Sequence, residues 1–150
     1  MPAFLIKNMS TIFSMLKRIE VIDTEKICID TMEESKEVLA DYNAEQINTG
    51  LRSDGVEMPP YSNISVDFYG KPEGPIRLRE TGAWQAGLYV KIEGGKVIFE
   101  SSDEKDEMLT KRYTDKIHGL SEKYKAEAMR EKVIPVFKSK IELATGLKFK

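Results

Sequence analysis

The chain has one cysteine, Cys28, and one histidine, His118, in 150 residues. A lone cysteine excludes an internal disulfide, a redox pair and a thiolate metal cluster, and it suits a reducing compartment. The formal net charge is only −2 although 32% of residues are charged, so no whole-molecule field drives nucleic-acid binding. No apolar run approaches the roughly 18 residues that would span a membrane. The N-terminal MPAFLIKNMSTIFSMLKRIE is interrupted by Lys7 and Asn8 and is followed by no small-residue cleavage site, unlike a secretory leader. A soluble, cytosol-made protein without membrane contacts is expected.

Signatures of chemistry are equally scarce. There is no HExxH zinc motif, and GKPEG and EGGK lack the strand-loop-helix setting and GK[ST] ending of a phosphate loop, so they read as turns. His118-Gly119 lies in a turn before a helix with no nucleophile motif beside it, so a packing histidine is expected rather than a general base. Cys28 falls on an apolar helical stripe and reads as a small buried hydrophobe. Glu33-Glu34 and Asp106-Glu107 are adjacent pairs, which point apart on a helix and share no metal by spacing alone. The sequence therefore predicts no catalytic residue, no cofactor and no metal.

What is present is a hydrophobic fraction of 41%, enough for one modest core, so residues 1–150 are expected to form a single domain. Leu5, Met9, Ile12, Leu16 and Ile19 recur at helical spacing with Phe13 beside them. This amphipathic helix buries its face on the chain's own core or on a partner chain rather than on a membrane surface, since its polar face has only three cations. A second helix starts at Asp23 or Thr24 and runs to about Ile47, with Cys28, Met32, Leu39 and Tyr42 on one stripe that Ser35 interrupts. From Asp23 to Glu57 ten acidic residues face three basic ones, whereas from Ser102 to Lys150 nine acidic residues face twelve basic ones.

The segment 51–77, with Pro59-Pro60, Gly70 and Pro72 to Pro75, predicts a long loop or arm. Within it, NISVDFY alternates Ile64, Val66 and Phe68 and predicts a short strand. AGLYVKIEGGKVIFES predicts a β-hairpin turning at Gly94-Gly95, with Leu88, Val90, Ile92, Val97 and Phe99 alternating. Trp84 just before it reads as cover for the sheet rather than a base-stacking platform. Ser102 or Asp103 caps a short helix and Ser121 a last one, which Pro135 should kink or restart and Gly146 should end. The fold class is α+β: a small antiparallel sheet built on the hairpin, packed with three or four helices.

Read in order, Gly50 to Ser62 (GLRSDGVEMPPYS), then Leu78-Arg79-Glu80-Thr81-Gly82 before the hairpin, a short helix ending Lys111-Arg112-Tyr113, and Ile117-His118-Gly119-Leu120-Ser121 before the closing helix form a pattern. Across roughly Asn43 to Lys140 it resembles the virion morphogenesis and tail-completion proteins, the small neck proteins of tailed phages and prophages. One departure is Thr114, which stands where that group usually has a glycine after the tyrosine of the short helix. The resemblance implies a non-enzymatic structural protein that forms a ring at the neck, as a head-tail connector joining portal or adaptor to tail or as a tail-completion protein capping the tail. Its implied partners are further copies of itself, portal, adaptor or tail proteins, and DNA passing through the lumen. It would be assembled in the host cytoplasm and reside in the virion.

The contact residues expected on this reading are Arg77, Arg79, Thr81 and Trp84 near the hairpin and Pro59, Pro60 and Tyr61 in the arm. An acidic segment and a basic half on one chain suit a head-to-tail contact that closes a ring. The alternative is a nucleic-acid-binding accessory protein that uses the basic C-terminal half.

Overall fold

Helix caps and glycine turns divide the chain into its elements. The computed structural model describes residues 3–149, and their side chains from Thr11 onward. Helix α1 spans Ala3–Glu20; the side chains of Leu5 and Met9, part of its predicted stripe, lie outside the described ones. Asp23 then caps α2 (Thr24–Glu34), its carboxylate accepting from the Lys26 amide at 3.0 Å.

The single helix expected as far as Ile47 is in fact two. The Ser35 hydroxyl donates to the Thr31 carbonyl and the Thr31 hydroxyl to that of Ile27, both at 2.7 Å. Such back-bonding competes with the helical ladder and bends it. The chain restarts as α3 (Lys36–Asn48). The break also rotates the buried stripe: Thr31 and Ser35 are buried and Cys28 is exposed, so Cys28 is not the core residue its spacing suggested.

The arm at 51–77 is more structured than a loop. Two isolated antiparallel bridges, Leu51 with Glu57 and Pro60 with Pro75, fold it back on itself. Gly50 sits at φ +84°, and a Cβ there would lie 2.4 Å from Pro75 Cγ, so the close approach of the two segments requires glycine. The predicted strand at Ile64 to Phe68 is helix α4 (Asn63–Tyr69). The Ser62 side chain caps it by accepting from the Ser65 amide, and Gly70 ends it in the left-handed conformation. Ile64 and Phe68 are 64% and 80% exposed, so their alternation reflects no buried strand face.

Gly82, at φ +78°, starts the one-turn helix α5 (Ala83–Ala86). The hairpin then follows as expected. Strands β1 (Leu88–Glu93) and β2 (Lys96–Ser101) pair antiparallel with Val90 opposite Phe99 and Ile92 opposite Val97. Gly94 and Gly95 supply the two positive φ angles of the turn, as a type I′ hairpin demands. On the outer face the Tyr89 hydroxyl and the Lys91 ammonium both bind Glu100 and hold its carboxyl below the usual carboxylate range.

Helix α6 (Asp106–Tyr113) starts later than the expected cap at Ser102 or Asp103, with Lys105 at the N-cap position. Asp103 instead accepts from the Lys105 amide and shapes the preceding turn. A 3₁₀ turn, Asp115–Ile117, follows. Ser121 caps α7 (Glu122–Ala128) as predicted. The expected disturbance at Pro135 takes the form of a π-helical stretch, Met129–Val133, before α8 (Ile134–Thr145), which Gly146 ends at φ +71°.

Two apolar clusters lie beneath these elements. One joins Leu39, Ala40 and Tyr42 of α3 to Val90, Leu120, Ala128 and Val133; the other joins Ile47, Met58, Ile76, Trp84, Leu88 and Ile117. The helix α3 spans both, and the hairpin lies against it. In α1, by contrast, Ile12, Phe13, Met15, Leu16 and Ile19 are all 41–59% exposed. That face is not buried on the chain's own core, the first of its two expected destinations. No helix among the described residues is long and apolar enough to cross a membrane.

Thr114 links α6 to the 3₁₀ turn at φ +80° and ψ 163°, a region that costs a side-chain-bearing residue about 1–3 kcal/mol. Its hydroxyl accepts from the Lys116 amide at 3.2 Å. Thr114→Gly should therefore raise stability by about 0.5–1 kcal/mol, since relief of strain outweighs the lost cap and the added chain entropy. Thr114→Ala keeps the strain and should lose about 1 kcal/mol. Urea unfolding of the pair checks the sign, and a destabilised Thr114→Gly would show that the hydroxyl dominates.

Candidate interaction groove

Buried amides on α3 organise the site from behind. Asn43 and Gln46, both fully buried, reach across to the turn before α7. Asn43 Nδ2 donates to the Ile117 carbonyl at 3.2 Å, and its Oδ1 accepts from the Gly119 amide at 3.0 Å. Gln46 Nε2 donates to the Gly119 carbonyl at 3.0 Å, and its Oε1 accepts from the Ser121 amide at 2.7 Å. The Ser53 amide donates to the Lys116 carbonyl at 2.8 Å. The Gly50 to Ser62 segment and the Ile117 to Ser121 turn, far apart in sequence, thus share one framework.

Asp106 ties the hairpin side to this framework. Its Oδ1 accepts from Trp84 Nε1 at 2.7 Å, and His118 Nε2 lies 2.7 Å from the same oxygen. A carboxylate oxygen accepts, so the hydrogen is placed on His118 Nε2. The Trp84 and His118 rings meet at a centroid distance of 5.8 Å. Among the described residues, His118's side chain meets Asp106 and Trp84 but no thiol or hydroxyl. His118 thus hydrogen-bonds a carboxylate and lies against an indole. Asp106 and Glu107 also diverge as expected, since Glu107 turns outward to Lys111 at 2.6 Å. No group of three or more metal-ligating side chains occurs among the described residues.

In front of this framework opens a groove of about 450 Å³, within the 300–1,000 Å³ of a typical ligand site. Six of the seven expected contact residues line it: Pro59, Pro60, Tyr61, Arg79, Thr81 and Trp84. Trp84 is only 4% exposed, so it forms the floor rather than a projecting anchor. The Thr81 hydroxyl accepts from the Ala83 amide at 3.3 Å, fixing the turn that brings Trp84 inward. Tyr61 and Pro59 sit on the arm where its two passes bridge: the Ile76 amide donates to the Pro59 carbonyl at 2.9 Å and the Tyr61 amide to that of Gly74 at 3.3 Å. Arg77 is exposed outside the groove, and its carbonyl accepts from Gln85 Nε2 at 2.7 Å.

The opposite wall comes from α6, which sequence reasoning did not connect with the site. Met108, Leu109 and Tyr113 add apolar surface, and Lys105 and Arg112 add charge. The sequence offers only one hint, the Lys111-Arg112-Tyr113 end of the short helix. Charge at the rim is unbalanced. Lys71 pairs with Glu80 at 3.2 Å, whereas Arg79, Lys105 and Arg112 make no ion pair among the described residues. Arg79 Nη1 reaches Asn48 Oδ1 only at 3.5 Å, and the Arg112 guanidinium lies 5.4 Å from the centre of the Tyr113 ring. An apolar floor with a cationic rim suits an acidic partner that carries an apolar group. In comparisons with protein-family models, curated proteins and solved structures, nothing matches this chain.

Proposed function

We propose that the chain is a non-enzymatic structural subunit of a tailed-phage or prophage neck, forming an oligomeric ring that joins portal or adaptor to tail. One observation carries this reading: the four sequence stretches that resemble such proteins meet in one place. Gly50 to Ser62, Leu78 to Gly82, the end of α6 and Ile117 to Ser121 all border the groove or the amide framework behind it. Thr114 adds support, because the position where the family usually carries glycine has a backbone that favours glycine. The exposed apolar face of α1 and the two unpaired outer edges of the hairpin are surfaces that an assembly would cover.

For the nucleic-acid alternative the basic half is divided, since Lys105 and Arg112 at the groove rim make no ion pair among the described residues. Lys111, Lys125, Arg130, Lys140 and Lys148 each face an acidic side chain of the same chain. Light scattering on the purified protein, alone and with a portal or tail protein, should give a ring of defined mass in at least one condition. Normal virion assembly after removal of the gene would overturn the proposal. A steep salt-dependent affinity for DNA without oligomers would favour the alternative.

A further inference from the structure

We infer that the groove binds the acidic outer face of α2 from a second copy of the chain. The inference rests on the ring reading above and names the contact that would propagate it. The groove offers three cations without ion pairs, Arg79, Lys105 and Arg112, against one such carboxylate, Asp103, around a floor built on Trp84, Leu109 and Tyr61. Its occupant should be acidic, exposed and apolar at its centre.

The outer face of α2 has that chemistry. Glu25, Ile29 and Glu33 recur at i, i+4 and i+8, with Asp30 beside them, so they form one stripe. All four are exposed, and Ile29, at 38%, is an apolar group among carboxylates. Glu33 has a same-chain cation in Lys36, while Glu25 and Asp30 make no ion pair among the described residues. Laid into the groove, Ile29 would meet the apolar floor and the acids would meet the rim, the mode in which an amphipathic helix fills a groove.

The two surfaces belong to different parts of the fold. α2 packs on α8, β1 and α3, whereas the groove opens over the cluster that contains Trp84 and Ile117. A contact between different patches is heterologous, so it leaves a free groove and a free α2 at the ends of any open chain of copies. Such contacts close into a ring when the rotation between copies permits it and otherwise grow into an open filament.

Two charge-reversed forms of the full chain test this. One carries Arg79→Glu, Lys105→Glu and Arg112→Glu; the other carries Glu25→Lys, Asp30→Lys and Glu33→Lys. All six sites are exposed, and circular dichroism confirms folding of each form. The wild type should self-associate with an affinity that falls as salt rises, and either form alone should lose on the order of 100-fold in association. An equimolar mixture should associate again, because it restores opposite charges across the contact. Rescue by mixing separates a broken contact from a misfolded subunit. Rings that persist in both forms would overturn this contact and leave the ring reading intact. A wild type that stays monomeric at all concentrations would overturn the self-docking, and failure to assemble with portal or tail protein as well would also remove the ring.

Discussion

Gln46→Ala should destabilise the fold by about 3 kcal/mol, and Asn43→Ala by a similar amount. Both side chains are fully buried, and each makes one donor and one acceptor bond to the backbone of Ile117 to Ser121. Truncating Gln46 leaves the buried Ser121 amide and the part-buried Gly119 carbonyl without partners, at about 1–3 kcal/mol for a fully buried group. Replacement by water is costly at the Asn43 side, where Ile47, next in sequence to Gln46, and Ile117, whose carbonyl accepts from Asn43, are also fully buried. The double variant should lose less than the sum, because once one amide has released the turn the other's bonds are already weakened. Denaturant unfolding of the four proteins in the cycle measures this coupling. Additive losses below about 1 kcal/mol each would mean that the turn is held by the caps of α7 and the 3₁₀ element, not by α3.

The same residues show why the site was only partly legible in the sequence. The groove's near side is local: Thr81-Gly82 sets a turn, the prolines force an extended path, and the residues between them fall together without distant information. Six of seven expected contact residues line the groove for that reason. Asn43, Gln46 and Asp106 gain their roles from partners 12 to 76 positions away, and a polar residue carries no mark of such a partner. Local signals also explain the errors in the fold. NISVDFY satisfies a two-residue period, but Ser62 and Gly70 bracket it with a helix cap and a left-handed stop. With no strand beside it to supply a ladder, the caps prevail. The apolar stripe resumes after Ser35 in sequence, yet the hydroxyls of Thr31 and Ser35 bend the helix and redirect which residues are buried. The hairpin, the Ser121 cap and the Gly146 stop were readable because each depends on residues within a few positions of one another.

Trp84→Ala should cost about 4 kcal/mol, in the range for removal of a large buried aromatic. The indole packs in one cluster with Ile47, Met58, Ile76, Leu88 and Ile117, so its loss opens a cavity between α3, the arm and the start of β1. Trp84→Phe separates packing from polarity. It retains most of the apolar contact but removes the donor to Asp106, and should cost about 1–2 kcal/mol. His118 remains 2.7 Å from the Asp106 oxygen, so that carboxylate keeps one partner and the penalty stays below that of a fully orphaned charge. Replacing Asp106 by Ala in the Trp84→Phe background should then cost less than in the wild type, since one of its two bonds is already gone. Equal costs in both backgrounds would show that Asp106 serves His118 alone. Trp84→Ala also removes the floor of the groove, so it should weaken self-association even in the fraction that remains folded. Trp84→Phe, which keeps the floor apolar, should leave association within a few-fold of wild type. A large loss of association in Trp84→Phe with little loss of stability would place the indole N–H, rather than the ring, at the centre of recognition.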